Sequence, residues 1–212
     1  DYINNPFSPA PLPLIAIPTT AGTGSEMTKV TVITDTATEV KMMIARPELV
    51  PAAAIVDPEL TLSCPPSVTA ATGVDALCHA MEAYISRRSH FVTDKLALTA
   101  VELLARHLRR VYRDGSDREA REKVALGSML AGAAFSNASV TLVHGMSRPI
   151  GALFHVPHGV SNAMLLPGVL EFTKESATER LAVIARLINP QLKDVSDAEA
   201  ADALVEEVKQ LC

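Results

Sequence analysis

The pattern of hydrophobic and polar positions divides the chain into two parts. Near the N-terminus, short apolar or alternating runs predict β-strands at 14–18, 30–34, 41–45 and 54–57. From residue 67 onward, apolar residues recur at helical spacing and predict helices at about 67–72, 74–86, 94–112, 117–136, 141–154, 158–172, 177–188 and 196–210. The fold class is therefore α/β followed by all-α, with parts at 1–64 and 65–212. This layout suits an enzyme with a cleft.

Composition narrows the functional classes. The 212 residues are 48% hydrophobic, enough for a sizeable core, and the net charge of -5 offers no basic patch, so we expect no nucleic-acid partner. The three cysteines have no paired spacing and indicate a reducing, cytoplasmic setting. The uncharged segment 124–143 is as long as a membrane span, but its small and polar residues favour a helix buried on all sides. We therefore expect no membrane partner.

One acidic and three histidine side chains form a candidate metal site. Asp75 and His79 are four residues apart, so a helix places both on one face, where they can bind one cation. Taken alone, the pair is better explained as a capping aspartate beside an unrelated histidine. His144 and His158 make the metal site the better interpretation. Residues 124–170 around them contain a single formal charge, and buried imidazoles need partners. One carboxylate and three imidazoles suit Fe(II) or Zn(II) better than Ca(II) or Mg(II).

Two prolines bear on how these histidines are placed. Pro157 is expected in the first turn of a helix, which puts His158 at its start, and Pro149 is expected to disturb the helix that carries His144. Two helix ends could then converge on one point. His155 is expected beside the ligands or on the substrate side. Other residues of these types are expected to be structural: His90 in a loop or at a helix cap, His107 in solvent and Cys78 in the core.

The segment TTAGTGSE, residues 19–26, lies between the first two predicted strands. Its glycines, Gly22 and Gly24, allow the backbone to approach a ligand closely. An ordinary glycine-containing hairpin is the alternative.

Four stretches resemble the iron-containing (group III) alcohol dehydrogenases: IPTTAGTGSE, KMMIARPELVPAAAIVDPEL, PPSVTAATGVDALCHAMEAY and GMSRPIGALFHVPHGVSNAMLLP. The resemblance implies a dehydroquinate synthase-like architecture, with 1–64 a remnant of an α/β nucleotide-binding domain and 65–212 an all-helical metal-binding domain. It also implies hydride transfer between NAD(H) or NADP(H) and a small alcohol or aldehyde. The implied metal is divalent, Fe(II) ahead of Zn(II), and a homo-oligomer is expected.

The resemblance also assigns residues. The family's metal ligands fall on Asp75, His79, His144 and His158. Its cofactor-contacting loop falls on Thr19, Thr20, Gly22 and Thr23, and its cofactor-contacting lysine on Lys41.

Two departures from the family pattern leave the function open. The glycine-rich GGGS-type pyrophosphate loop would precede the first residue, so we expect a piece of a longer protein, with weak cofactor binding by these residues alone. Arg148 stands where some members have a histidine, so a proton-relay role is not carried over. Besides alcohol or aldehyde chemistry, a hydroxyacid-oxoacid transhydrogenase and a non-catalytic metal-binding helical fragment remain as alternatives.

Arg148 is a candidate substrate-side residue. If the helix continues one turn past His144, Arg148 lies on the same face and needs an anionic partner. That partner is either a protein carboxylate, with Glu82 and Glu171 as candidates, or a carboxylate or phosphate of the substrate, which the planar guanidinium binds well.

Overall fold

The computed structural model describes residues 12–38 and 40–212. Six α-helices make up most of this part of the chain: α1 Pro66–Ile85, α2 Phe91–Arg113, α3 Arg118–Ala138, α4 Leu142–Leu153, α5 His158–Ile188 and α6 Asp197–Leu211. Four short strands precede them: β1 Ile15–Ala16, β2 Val30–Asp35, β3 Val40–Ala45 and β4 Ala53–Ala54. Short strands followed by a helical body confirm the predicted fold class.

Each predicted helix overlaps an observed one, but two predicted breaks differ. The break at Gly73 is wrong, because α1 runs through it. A Cβ there would lie 2.2 Å from Cδ1 of Leu108, so the missing side chain makes room for α2 to pack closely. The break predicted between 158–172 and 177–188 is a kink within α5, where Ala177 has non-helical backbone angles.

The strands form two separate pairs. β2 and β3 are antiparallel, with Val30 opposite Ala45 and Asp35 opposite Val40. β1 pairs with β4 in parallel over two residues each, so the strands predicted at 14–18 and 54–57 were too long. Asp57 does not continue β4, because its carboxylate accepts a hydrogen bond from the backbone N–H of Glu59 and begins a short 3₁₀ helix.

α1 is the central helix of the core. Residues 73–84 are buried without interruption and pack among α2, α3 and α5, while α6 covers α5. The segment predicted to be buried on all sides, 124–143, is exposed on part of its surface. Its helical part ends at Ala138 and leaves Leu126 37% exposed. The helix that buries its whole circumference is instead α1, which carries the first two candidate ligands.

Within the ranges given above, no single helix is long and apolar enough to cross a membrane. α3 and α4 meet at 102°, and they satisfy the requirements of length and composition only when taken together.

Candidate metal centre

Three helices bring the four candidate ligands together. Asp75 and His79 lie one turn apart on α1, His144 lies in the first turn of α4, and His158 is the first residue of α5. One potential ligand atom from each of the four lies within 4.8 Å of the others. The structure therefore assembles the set that the sequence predicted from positions far apart in the chain.

The carboxylate of Asp75 is the centre of this cluster. Its Oδ1 lies 3.9 Å from Nδ1 of His79, 3.5 Å from Nε2 of His144 and 3.7 Å from Nε2 of His158. The first three side chains are buried, whereas the His158 side chain is 41% exposed. The cluster is thus least buried on the side of His158.

Close packing sets the position of His158. Pro157 directly precedes α5, in agreement with a helix that starts at His158. At the next position, a Cβ on Gly159 would lie 2.2 Å from the carbonyl oxygen of Ala71, so the start of α5 rests directly on α1. Pro149 lies inside α4, which continues through it to Leu153, so the proline does not end this helix.

Glu82, a buried carboxylate on α1, was missed as a site residue by the sequence analysis. Its Oε1 accepts hydrogen bonds from the backbone N–H of Thr141 at 3.0 Å, from the Thr141 hydroxyl at 2.6 Å and from the backbone N–H of Val143 at 2.8 Å. Its Oε2 is hydrogen-bonded to Nδ1 of His144. Helical spacing from Asp75 could have revealed it, because residues seven apart share a helix face.

Asn162 on α5 was also missed. Its Nδ2 lies 2.6 Å from Asp75 Oδ1 and 3.2 Å from Nε2 of both His144 and His158. The amide N–H groups thus point to the place where three candidate ligand atoms converge. Their partial positive charge is attracted by the carboxylate oxygen and the two ring nitrogens. Asn162 is four residues after His158, a spacing that could have placed both on one helix face.

The donor set fits a divalent cation. Among the described residues, two buried side-chain polar atoms have no hydrogen-bond partner, Nδ1 of His79 and Oδ1 of Asn162, and both belong to this cluster. Such buried polar atoms are costly and call for an explanation. A cation held by Asp75 and the three imidazoles would give the His79 nitrogen a partner.

The electrostatics of the cluster keep two ligands deprotonated. Burial alone would raise the pKa of Asp75, but the charges and hydrogen bonds of the neighbouring histidines outweigh it and lower the pKa to about 2. Burial lowers the pKa of His79 to about 4. Although burial also disfavours charge on His144, its hydrogen bonds to Asp75 and Glu82 raise its pKa to about 9. A carboxylate and a neutral imidazole are the forms that bind metals.

The segment 19–26 is not a hairpin, because β1 and β2, which it connects, pair with β4 and β3 and not with each other. Its glycines pack against helices. A Cβ on Gly22 would lie 2.4 Å from Cβ of Thr72 on α1. Gly24 has a φ of 57°, and a Cβ there would lie 2.6 Å from Cα of Gly132 on α3. These glycines let the loop lie against α1 and α3.

The predicted cofactor contacts are only partly described. Thr19 and Thr23 are exposed, Thr20 is half-buried, and the Thr23 hydroxyl donates to the Ser25 hydroxyl at 3.1 Å. Lys41 lies in β3 opposite Thr34, but its side chain lies outside the described part of the structure.

Arg148 is exposed on α4. Neither carboxylate suggested as its partner pairs with it, because Glu82 contacts His144 and Glu171 contacts Lys174.

The other histidines lie outside the cluster. His155 is exposed with a φ of 54°. His90 occupies the N-cap of α2, as expected. The His107 ring is hydrogen-bonded to the carbonyl of Leu103 and is half-buried, so it is less exposed than expected.

Comparison with known proteins points in the same direction as this geometry. A family model described as the C-terminal part of the Fe-containing alcohol dehydrogenase family matches residues 69–212, and one described as iron-containing alcohol dehydrogenase matches residues 1–58. Long-chain-alcohol dehydrogenase 1 of Geobacillus thermodenitrificans is 46% identical over 199 residues, which cover 94% of this chain and 50% of that protein. The NAD-dependent methanol dehydrogenase of Bacillus methanolicus is 42% identical over 92% of this chain and 51% of its own length.

A solved structure has the same fold. The alcohol dehydrogenase from Oenococcus oeni superposes with a TM-score of 0.91 at 39% identity, covering 94% of this chain and 52% of that chain. The chain spans about half the length of the curated relatives it matches.

Proposed function

The chain belongs to the iron-containing alcohol dehydrogenase family, and from this we propose that it forms the metal-binding part of an oxidoreductase. The reaction is hydride transfer between NAD(H) or NADP(H) and a small alcohol or aldehyde. The observation that carries the proposal is the convergence of Asp75, His79, His144 and His158 at a partly open position in the helical core.

The four side chains would provide two kinds of metal ligand. Asp75 supplies a charged oxygen, and the imidazoles supply neutral nitrogens that leave the ion with much of its positive charge. A bound divalent ion supplies Lewis-acid chemistry, stabilising negative charge on the substrate oxygen during hydride transfer. His158 lies on the exposed side of the cluster, so the substrate oxygen approaches past this residue.

The segment 19–26 is the proposed contact for the dinucleotide. The exposed residues Thr19 and Thr23 would contact a ligand on the outer surface of the loop, the Thr23 hydroxyl in exchange for its bond to Ser25, while its glycines hold the inner surface against α1 and α3. Lys41 would add a positive charge near the diphosphate. The Bacillus methanolicus relative, named as NAD-dependent, supports a nicotinamide cofactor.

The proposal includes a substrate that carries an acidic group. Arg148 is exposed, four residues after His144, and forms no ion pair with the carboxylates described in the structure. Its planar guanidinium can bind a substrate carboxylate through two parallel hydrogen bonds. The substrate class is therefore a small aldehyde or alcohol that carries an anionic group.

Metal content tests the proposal directly. The purified chain should bind one divalent ion, and His158→Ala should weaken binding by at least ~10- to 100-fold, the loss that is typical even for residues outside the ligand set. His107→Ala is the matched control, because that histidine lies on α2 and bonds only to the backbone of Leu103. Occupancy that is unchanged in His158→Ala, or lowered equally in the control, would contradict the four-ligand site.

A further inference from the structure

Glu82 makes hydrogen bonds that fix which nitrogen of His144 carries a proton. An ionised carboxylate has only acceptor atoms, so each group that bonds to it must donate. The groups around Glu82 are the backbone N–H of Thr141 and of Val143, the Thr141 hydroxyl and Nδ1 of His144. The Nδ1 atom of His144 therefore holds a proton. The nitrogen left to bind an ion is Nε2, which faces Asp75.

We propose that Glu82 is a positioning residue of the metal centre, which holds the proton of His144 on Nδ1 and so presents the Nε2 lone pair to the ion. This inference rests on the proposed function of the cluster. Glu82 lies on α1, the helix that carries Asp75 and His79, and it ties the start of α4 to that helix. One carboxylate thus orients the third ligand relative to the first two.

The two oxygens of Glu82 have separable tasks. Oε1 accepts all three hydrogen bonds from Thr141 and Val143, whereas Oε2 is hydrogen-bonded to His144. In Glu82→Gln, the amide oxygen must stay on the side of Thr141 and Val143, because two backbone N–H groups there would repel an NH₂ group. The NH₂ group then faces Nδ1 of His144 and donates to it. The imidazole proton moves to Nε2, so an ion binds there only after displacing that proton, and binding is weaker.

The test is a titration of Zn²⁺ into the metal-free full chain. Glu82→Gln is expected to weaken zinc binding about 10- to 100-fold, as is typical for the outer partners of metal ligands. Thr141→Val is the matched control, because it removes one donor to Oε1 and leaves the contact with His144 intact. This control should lower the melting temperature without a comparable loss of zinc affinity.

The outcomes separate the inference from the proposed function. If Glu82→Gln binds zinc as tightly as the wild type, or if Thr141→Val loses the same factor, the positioning role is overturned while the metal site stands. If the wild type itself binds no zinc, the proposed metal site fails and the inference fails with it.

A second measurement uses the wild type alone and does not depend on the variant folding. In the zinc-loaded chain with ¹⁵N-labelled histidine, NMR should show a slowly exchanging proton on Nδ1 of His144 and the metal on Nε2. A bare or zinc-bound Nδ1 would overturn the inference.

Discussion

Gly159 follows a candidate metal ligand and lies against the backbone of α1, so it offers a sharp test of how the site is built. A Cβ at this position would lie 2.2 Å from the carbonyl oxygen of Ala71, which cannot rotate away as a side chain would. Real Cβ contacts essentially never fall below 3.0 Å, so Gly159→Ala must move α5 from α1 by about 0.8 Å. That displacement exceeds the tolerance of about 0.2 Å in metal–ligand distances. His158 would then no longer meet Asp75 correctly.

We expect Gly159→Ala to lower the free energy of unfolding by about 1–3 kcal/mol, the usual cost of overpacking a close contact. It should also weaken metal binding. Gly168→Ala is the matched control, because Gly168 lies in the same helix and a Cβ there would meet nothing within 4 Å. This control should raise the free energy of unfolding by about 0.5–1 kcal/mol, since alanine is the better helix former.

Urea unfolding of the metal-free proteins gives the two stabilities, and zinc titration gives the affinities. The reasoning is refuted if the two variants change stability in the same direction and by similar amounts. It is also refuted if Gly159→Ala loses stability but keeps wild-type zinc affinity, because the contact would then support the helix without placing His158.

Two further predictions concern the ion and the substrate. Removal of the metal with a chelator should lower the melting temperature, because an ion at 100 times its dissociation constant adds about 2.7 kcal/mol to the free energy of unfolding. A melting temperature that the chelator leaves unchanged would contradict a bound ion. In the active protein, Arg148→His should abolish a preference of about ten-fold for a carboxylated over a neutral aldehyde in kcat/KM, since a charge-assisted hydrogen bond contributes about 1.5–3 kcal/mol. Equal losses with both aldehydes would assign Arg148 to the fold instead.

The helices could be predicted from the sequence because amphipathic spacing and end signals are local properties. Ser196 and Glu199, for example, form a capping box at the start of α6. The continuous α1 could not be predicted, because Gly73 is an unfavourable helix residue whose benefit comes only from contact with Leu108 on another helix. The packing of Gly22 against α1 and of Gly24 against α3 could not be predicted for the same reason, because these contacts have no local signature.

The ligand set could be predicted from the sequence, but its supporting residues could not. Asp75 and His79 are a local pair, while His144 and His158 stood out by their nearly uncharged surroundings, and a resemblance to a known family then implied the same four residues. Glu82 contacts His144, which is 62 residues away, and Asn162 contacts Asp75, which is 87 residues away. Their helical spacing from the candidate ligands gave a hint, yet only the packing of α1 against α4 and α5 shows what they touch.

The charge balance of the cluster favours a divalent ion in particular. Asp75 and Glu82 are two buried carboxylates that both contact the imidazole of His144, and buried charges are stable only when they are compensated. In the chain alone, the raised pKa of His144 provides one positive charge against these two negative charges. A divalent cation offsets both carboxylates while every imidazole is neutral and His144 still donates to Glu82 from Nδ1. A monovalent ion would leave one negative charge buried, and a trivalent ion would leave one positive charge, so the charges of these side chains would favour a divalent ion, as their donor types would.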